Sequence, residues 1–240
     1  MHLNQKKEII ILNVDNPFEV EITGSPKAKT AIVFVHGFGV NRQSRGLFVE
    51  IESSLPESIL SVRADYSQVL KERCIALPFK AQCQRLDALI SYIQGHYSIE
   101  KFIYIGHSQG CITLGLYQPQ QALILLLAPP IISPFEEFIN TSGWKKPGSY
   151  LNLTGNSRLV RSDLIVEVPL EFWQEFKTID AHYLYQNLAI QNEVKIIVAE
   201  NDQILGKQPD IANITTYTIP DANHDFSGIQ WKNFPKCSFW

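Results

Sequence analysis

Residues Lys101–Gly110 read KFIYIGHSQG, and within them Gly106-His107-Ser108-Gln109-Gly110 has the spacing G-x-S-x-G. A serine hydroxyl at the centre of this pattern is a candidate nucleophile, and the setting strengthens the case. A β-rich run leads into the motif and a helix-compatible run, CITLGLY, leaves it. The two glycines relieve crowding at a tight strand-to-helix turn, which pushes Ser108 Oγ out at the carboxyl end of the strand. The N-terminus of the following helix favours negative charge as it develops. The chemistry to expect is attack on a carbonyl carbon. A serine at an ordinary strand–helix turn is the competing explanation, so the rest of the chain must supply a base, an acid and an oxyanion site.

A serine hydroxyl needs a base to take its proton, and the base needs a carboxylate to orient it. Of the six histidines, His2 lies at the N-terminus, His96 at a helix end and His182 in a helical stretch. His36 and His107 sit inside turn motifs, where His107 is also placed to touch substrate. His224, in IPDANHDFSG, follows the last strand-like run in a polar loop and is the best base. The acid is expected between nucleophile and histidine in chain order. Asp202, in VKIIVAENDQIL, is preferred over Glu200 because it sits farther into the loop. Two backbone N–H groups are needed for the oxyanion. One is expected at Gln109, directly after the nucleophile. The other is expected at Phe38 in His36-Gly37-Phe38-Gly39, where a strand ends on two glycines.

These residues must be held by strands. Short apolar runs fall at Glu8–Val14, Phe18–Thr23, Ala31–Val35, Ile59–Ala64, Phe102–Ile105, Ala122–Ala128, Val194–Ala199 and Thr215–Ile219. The first two, separated by Asp15-Asn16-Pro17, predict an antiparallel hairpin. Several of the others lack strict alternation, as strands buried on both faces should. Phe79, Cys83, Leu86, Ile90, Ile93 and Tyr97 recur at helical spacing after Pro78, and Leu47, Phe48, Ile51 and Leu55 give a shorter helix. The expected fold class is α/β, a mainly parallel eight-stranded sheet with helices on both faces.

Residues 131–180 break the alternation. They hold two of the four tryptophans, a hairpin-like run from Tyr150 to Arg161 and a second run, Leu164–Val168, ended by Pro169. Fifty residues is too long for a plain connection, usually a few residues. The expected organisation is a core of residues 1–130 and 181–240 with residues 131–180 inserted as a lid. Most of its aromatics would form the lid's own small core, but some of its apolar surface, with Trp144 and Trp173 as the candidates, is expected to line the substrate pocket.

Composition excludes other classes. The chain has 240 residues, 45% of them apolar, enough for a sizeable core. With 21 basic and 24 acidic residues the net charge is −3, which does not suggest a nucleic-acid partner. Four cysteines without a C-x-x-C pair suggest neither a disulfide scaffold nor a zinc ribbon, and no phosphate-cradling glycine loop occurs. No metal and no cofactor are expected. The longest apolar run, Ala122–Ile132, is far short of the ~20 residues of a membrane span, and no secretory pattern opens the chain. A cytoplasmic location is the expectation, with a small molecule as partner.

Ser108, Asp202 and His224, in that order after the fifth, seventh and eighth strands, resemble the α/β-hydrolase fold family. More narrowly, HGFGVNRQSRGLFVEI is similar to bacterial serine hydrolases grouped with cinnamoyl (feruloyl) esterases, monoacylglycerol lipases and serine aminopeptidases. The resemblance implies metal-free hydrolysis of a carboxylic ester through an acyl-enzyme, with a lid after the sixth strand. A thioesterase or small-peptide aminopeptidase uses the same machinery, and a non-catalytic hydrolase-like binding protein is the alternative from another class. Two departures stand out. The family's glycine-rich turn after the fourth strand is replaced by VRADYSQVLKERC, which predicts a different wall near Tyr66. Only sixteen residues follow His224, among them Phe234, Phe239 and Trp240, which predicts a reduced closing helix.

Overall fold

A strand sends successive side chains to opposite faces, so a fully apolar run can bury both sides of a sheet at once. The chain uses its apolar runs in this way. The computed structural model describes residues 6–13, 16–162 and 164–229. His2, Val14, Asp15, Phe234, Phe239, Trp240 and the expected reduction of the closing helix lie outside the described residues. In chain order the strands are β1 (Lys6–Leu12), β2 (Phe18–Gly24), β3 (Thr30–Val35), β4 (Ile59–Ala64), β5 (Gln68–Val69), β6 (Arg73–Ile75), β7 (Lys101–His107), β8 (Leu123–Leu127), β9 (Ser157–Val160), β10 (Ile165–Val168), β11 (Glu193–Ala199) and β12 (Thr215–Ile219). The helices are α1 (Leu47–Ser53), α2 (Phe79–His96), α3 (Gln109–Tyr117), α4 (Pro134–Ile139), α5 (Leu170–Phe176) and α6 (Ala181–Gln191).

Eight strands form one sheet in the order β1-β2-β4-β3-β7-β8-β11-β12. The pairs β1–β2 and β2–β4 are antiparallel, and all the others are parallel. The eight expected strands are these eight. β8 shows the two-sided burial directly. Ile124 and Leu126 join the apolar layer under α2, α3 and α6, where Leu86, Leu114 and Leu188 are fully buried. Leu123, Leu125 and Leu127 face the other way, into a layer with Phe48 of α1 and Phe226. Each such side chain contributes about 1.5–3 kcal/mol when buried, so both faces of the sheet are committed to core. The carboxyl ends of the parallel strands are what remain for a site.

A second sheet has the order β5-β6-β10-β9. It joins the 131–180 segment to the connection that follows β4, through the parallel pairing of β6 with β10. The strands of the 131–180 segment therefore do not pair only among themselves but also with the chain that follows β4. β5 and β6 are two and three residues long and carry no alternation that sequence could reveal. The run from Tyr150 closes on a single bridge to Arg158, and the longer hairpin is β9 with β10. Phe172, Trp173 and Phe176 of α5 form a third apolar cluster that is continuous with Phe79 and Ile112 of the main body. Among the described residues no helix is long and apolar enough to cross a membrane.

Candidate active site

Ser108 stands between β7 and α3 with φ 53° and ψ −123°, a conformation that costs a non-glycine residue energy. What holds it is packing against its flanking glycines. A Cβ on Gly106 would lie 3.0 Å from Cys111 Cα and 2.9 Å from Leu114 Cδ1, and one on Gly110 would run into the Val35 carbonyl oxygen. Only glycine lets α3 approach β3 and β7 this closely. The Ser108 N–H is anchored to the Leu127 carbonyl at 2.8 Å. Its side chain stays partly accessible while His107, Gln109 and Gly110 around it are buried.

His224 lies in the loop after β12. Ser108 Oγ donates to its Nε2 at 3.0 Å, and its Nδ1–H donates to Asp202 Oδ2 at 2.8 Å. Asp202 lies in the loop after β11, and its second oxygen accepts the N–H groups of Ile204 and Leu205, each at 2.9 Å. Burial pushes the Asp202 carboxyl up, but the bond from His224 and the two N–H groups outweigh it and hold it below its usual value. Glu200 is occupied elsewhere, its Oε2 accepting the Asp221 N–H at 3.0 Å. The structure thus brings together Ser108, His224 and Asp202 and leaves Glu200 out.

The loop after β3 passes close to the serine. A Cβ on Gly37 would sit 3.2 Å from Ser108 Cβ, so glycine is needed for the approach. Phe38 follows at the edge of the cleft. Gln109 is the first residue of α3, where an N–H has no partner within its own helix. The loop is braced from behind. His36 accepts the Tyr66 N–H at Nε2 (2.8 Å) and donates from Nδ1 to the Gly37 carbonyl (2.9 Å). Burial pushes His36 below its ordinary value, so it serves as a neutral bracket. Arg42 closes the other end, its N–H and Nη1 each reaching the Asp65 carboxylate at 2.7 Å. Tyr66 is fully buried behind this bracket and is not part of the cleft lining.

A cleft of about 780 Å³ opens over Ser108 and His224, with apolar walls from Ile112, Phe138, Leu159, Phe172 and Phe176. The two tryptophans expected there are corrected. Trp173 is 1% exposed and donates its indole N–H to Ser157 Oγ at 3.0 Å. Trp144 is 8% exposed and donates to the Phe138 carbonyl at 3.1 Å. A buried indole needs an acceptor, and both found theirs inside the segment's own core, leaving phenylalanines for the wall.

His107 borders the cleft, but both its ring nitrogens are engaged by protein. Its Nε2–H donates to the His224 carbonyl at 2.9 Å, and its Nδ1 accepts from Ser44 Oγ at 3.0 Å. Beside Ser44, Arg45 pairs with Asp225 at 3.0 Å. Ser44 and Arg45 both have positive φ, and this strained turn holds His107 of β7 through Ser44 and the histidine loop through Arg45 and Asp225. No local sequence signal links Ser44 to His224; the connection exists only through the fold. Among the described residues no group of three or more His, Cys, Asp or Glu side chains is arranged to hold a metal ion.

An eight-stranded, mostly parallel sheet with a strained serine turn after a central strand, an acid loop and a histidine loop defines the α/β-hydrolase fold, and solved structures agree. The chain is similar to Est1E from Butyrivibrio proteoclasticus bound to ferulic acid, with a TM-score of 0.70 and 17% identity over 94% of this chain and 97% of that one. It is similar to the esterase domain of a Rhodothermus marinus protein, with a TM-score of 0.67 and 14% identity over 95% and 94%. An α/β serine hydrolase homologue from Coxiella burnetii gives 0.58 and 15% over 93% and 91%. No protein-family model and no curated protein matches the sequence. The chain has the α/β-hydrolase fold.

Proposed function

We propose that the protein is a serine hydrolase that cleaves a carboxylic ester through an acyl-enzyme. The observation that carries this reading is the unbroken relay from Ser108 Oγ through His224 to Asp202, at 3.0 and 2.8 Å. Ser108 Oγ attacks the ester carbonyl carbon while its proton passes to His224 Nε2. The carbonyl oxygen becomes an oxyanion and takes hydrogen bonds from the N–H groups of Phe38 and Gln109. Collapse breaks the bond to the alcohol, which leaves with the proton held by His224. Water then attacks the acyl-serine by the same route, giving a carboxylic acid and restoring Ser108. Asp202, held ionised, keeps the proton of neutral His224 on Nδ1 and stabilises the imidazolium.

The 131–180 segment acts as the lid of the cleft, and its phenylalanine wall selects a medium-sized apolar or aromatic group. Such a wall offers burial at about 25 cal/mol per Å² and few directed polar contacts, so discrimination is modest, about 1–3 kcal/mol per methylene. Support also comes from the fold shared with Est1E, solved with the aromatic ferulic acid bound. The test is a panel of neutral esters from acetyl to octanoyl, with a phenylpropenoyl ester alongside. A rise in kcat/KM from acetyl towards the larger groups is expected, and a strict acetyl preference would contradict the assignment of the wall.

A further inference from the structure

The 131–180 segment grips the loop after β3 at residues 38 and 39. Arg161, between β9 and β10, donates from Nη1 to the Gly39 carbonyl at 3.1 Å. Its guanidinium carbon also lies 5.5 Å from the centroid of the Phe38 ring. Val166 of β10 packs so tightly on Gly39 that a Cβ there would come within 2.7 Å of it. Phe138 meets the Phe38 ring edge-on at 4.6 Å, and Phe172 lies 5.7 Å from it. The main body braces this same loop at its two ends, through His36 and Arg42. Residues 38 and 39 lie between those braces, and Gly39 has φ +60°, a conformation that glycine adopts without the cost a Cβ would add.

We infer that Arg161 is a positioning residue for the oxyanion site: it holds the loop from the Phe38 and Gly39 side, while His36 holds the Gly37 carbonyl of the peptide unit that carries the Phe38 N–H, and the two together set where that N–H points. The inference rests on the proposed hydrolase reading and deepens it. An oxyanion donor works only within about 2.7–3.1 Å of the developing charge, so a shift of a few tenths of an ångström in the loop matters. The segment that shapes the cleft then also governs the chemical step. Arg161 borders the cleft as well. A substrate-binding role would therefore raise KM, whereas a positioning role lowers kcat.

The test uses the full chain with Arg161→Met, which removes the donor and the charge, and Arg161→Lys, which keeps a cationic donor. Neutral esters of increasing acyl length are the substrates, and an alkyl trifluoromethyl ketone, which forms a tetrahedral adduct, is the inhibitor. Losing an oxyanion donor outright costs about 10²–10³ in kcat, so displacing one is expected to cost about tenfold to a hundredfold. Arg161→Met should lower kcat by one common factor on every ester, hold KM within about twofold, and weaken the ketone by the same factor. Arg161→Lys should recover most of the loss. Unchanged kcat, a loss confined to KM, or a factor that varies with acyl length would overturn the inference. If Arg161→Met fails to fold by circular dichroism, Arg161→Gln, which keeps a neutral donor, and Arg161→Lys carry the same kcat-against-KM comparison. A wild-type protein that neither hydrolyses the esters nor reacts with a fluorophosphonate would instead sink the hydrolase reading itself.

Discussion

The Nε2–H of His107 donates to the main-chain carbonyl of His224 at 2.9 Å, so the residue before the serine carries the backbone of the histidine that faces it. Ser108 and His224 are thereby set in register by one buried ring, which Ser44 holds from the other side. Replacing His107 with Leu removes both bonds and leaves a carbonyl and a hydroxyl unpaired, at about 1–3 kcal/mol for each buried group. The expected result is a fall in urea stability of that order and about a tenfold loss in kcat, since misplaced reacting groups are costly. His107→Gln, which keeps a donor, should retain more of both. Unchanged kcat in the Leu variant would mean that His107 does not position His224.

The same ring makes stability depend on pH. Burial, and next the nearby His224 ring, push His107 down from 6.5 to about 4. Above pH 6.5 neither folded nor unfolded chain protonates it. Between 6.5 and 4 the unfolded chain takes up a proton that the folded protein refuses, so stability falls as pH falls, by about 3 kcal/mol in all. Below about 4 this contribution levels off. Buried His36, also lowered, acts in the same direction. Asp202 is held below 3.8, so its own contribution is lost at lower pH still. Urea midpoints at pH 7, 5.5 and 4.5 should decline, with a shallower slope in His107→Leu.

Asp202→Asn is expected to lower kcat by ~10³–10⁴, because an amide no longer fixes the imidazole tautomer. Glu200→Gln should change kcat by less than about twofold, since Glu200 caps the Asp221 turn and does not reach His224. Steady-state kinetics of the two variants decide it, and the larger loss in Glu200→Gln would reverse the assignment.

Glycines separate by what surrounds them. Gly110→Ala places a Cβ against the Val35 and His36 carbonyl oxygens and should prevent soluble folding or abolish activity. Gly95, in α2 with open space around it, tolerates a methyl group. Gly95→Ala should stabilise by up to about 1 kcal/mol, the helix-propensity difference. Thermal melts of both variants provide the comparison.

Much of this was legible from residues alone. The turn around Ser108, the eight strands and the α2 face rest on local spacing, and the backbone follows local spacing where core burial agrees with it; Asp202 and His224 are picked out instead by the loops they occupy after the seventh and eighth strands. The tryptophans misled because an aromatic-rich segment looks the same whether it lines a cleft or fills its own core. Only Ser157 and the Phe138 carbonyl, as acceptors, settle which. β5 and β6 escaped notice because five residues carry no period, and their strand character comes from pairing with β10. The roles of His107 and Arg161 are tertiary, linking residues 117 and 122 positions apart.

If His224 and Asp202 activate Ser108, an electrophile aimed at activated serines reacts there. Reaction with a fluorophosphonate probe, followed by mass spectrometry of the labelled peptide, tests it most directly. The wild-type protein should carry one label, on Ser108. Ser108→Ala should carry none, and His224→Ala should react slower by at least about 10³-fold. A wild-type protein that stays unlabelled, or a His224→Ala variant labelled at the wild-type rate, would mean that Ser108 is not activated by His224.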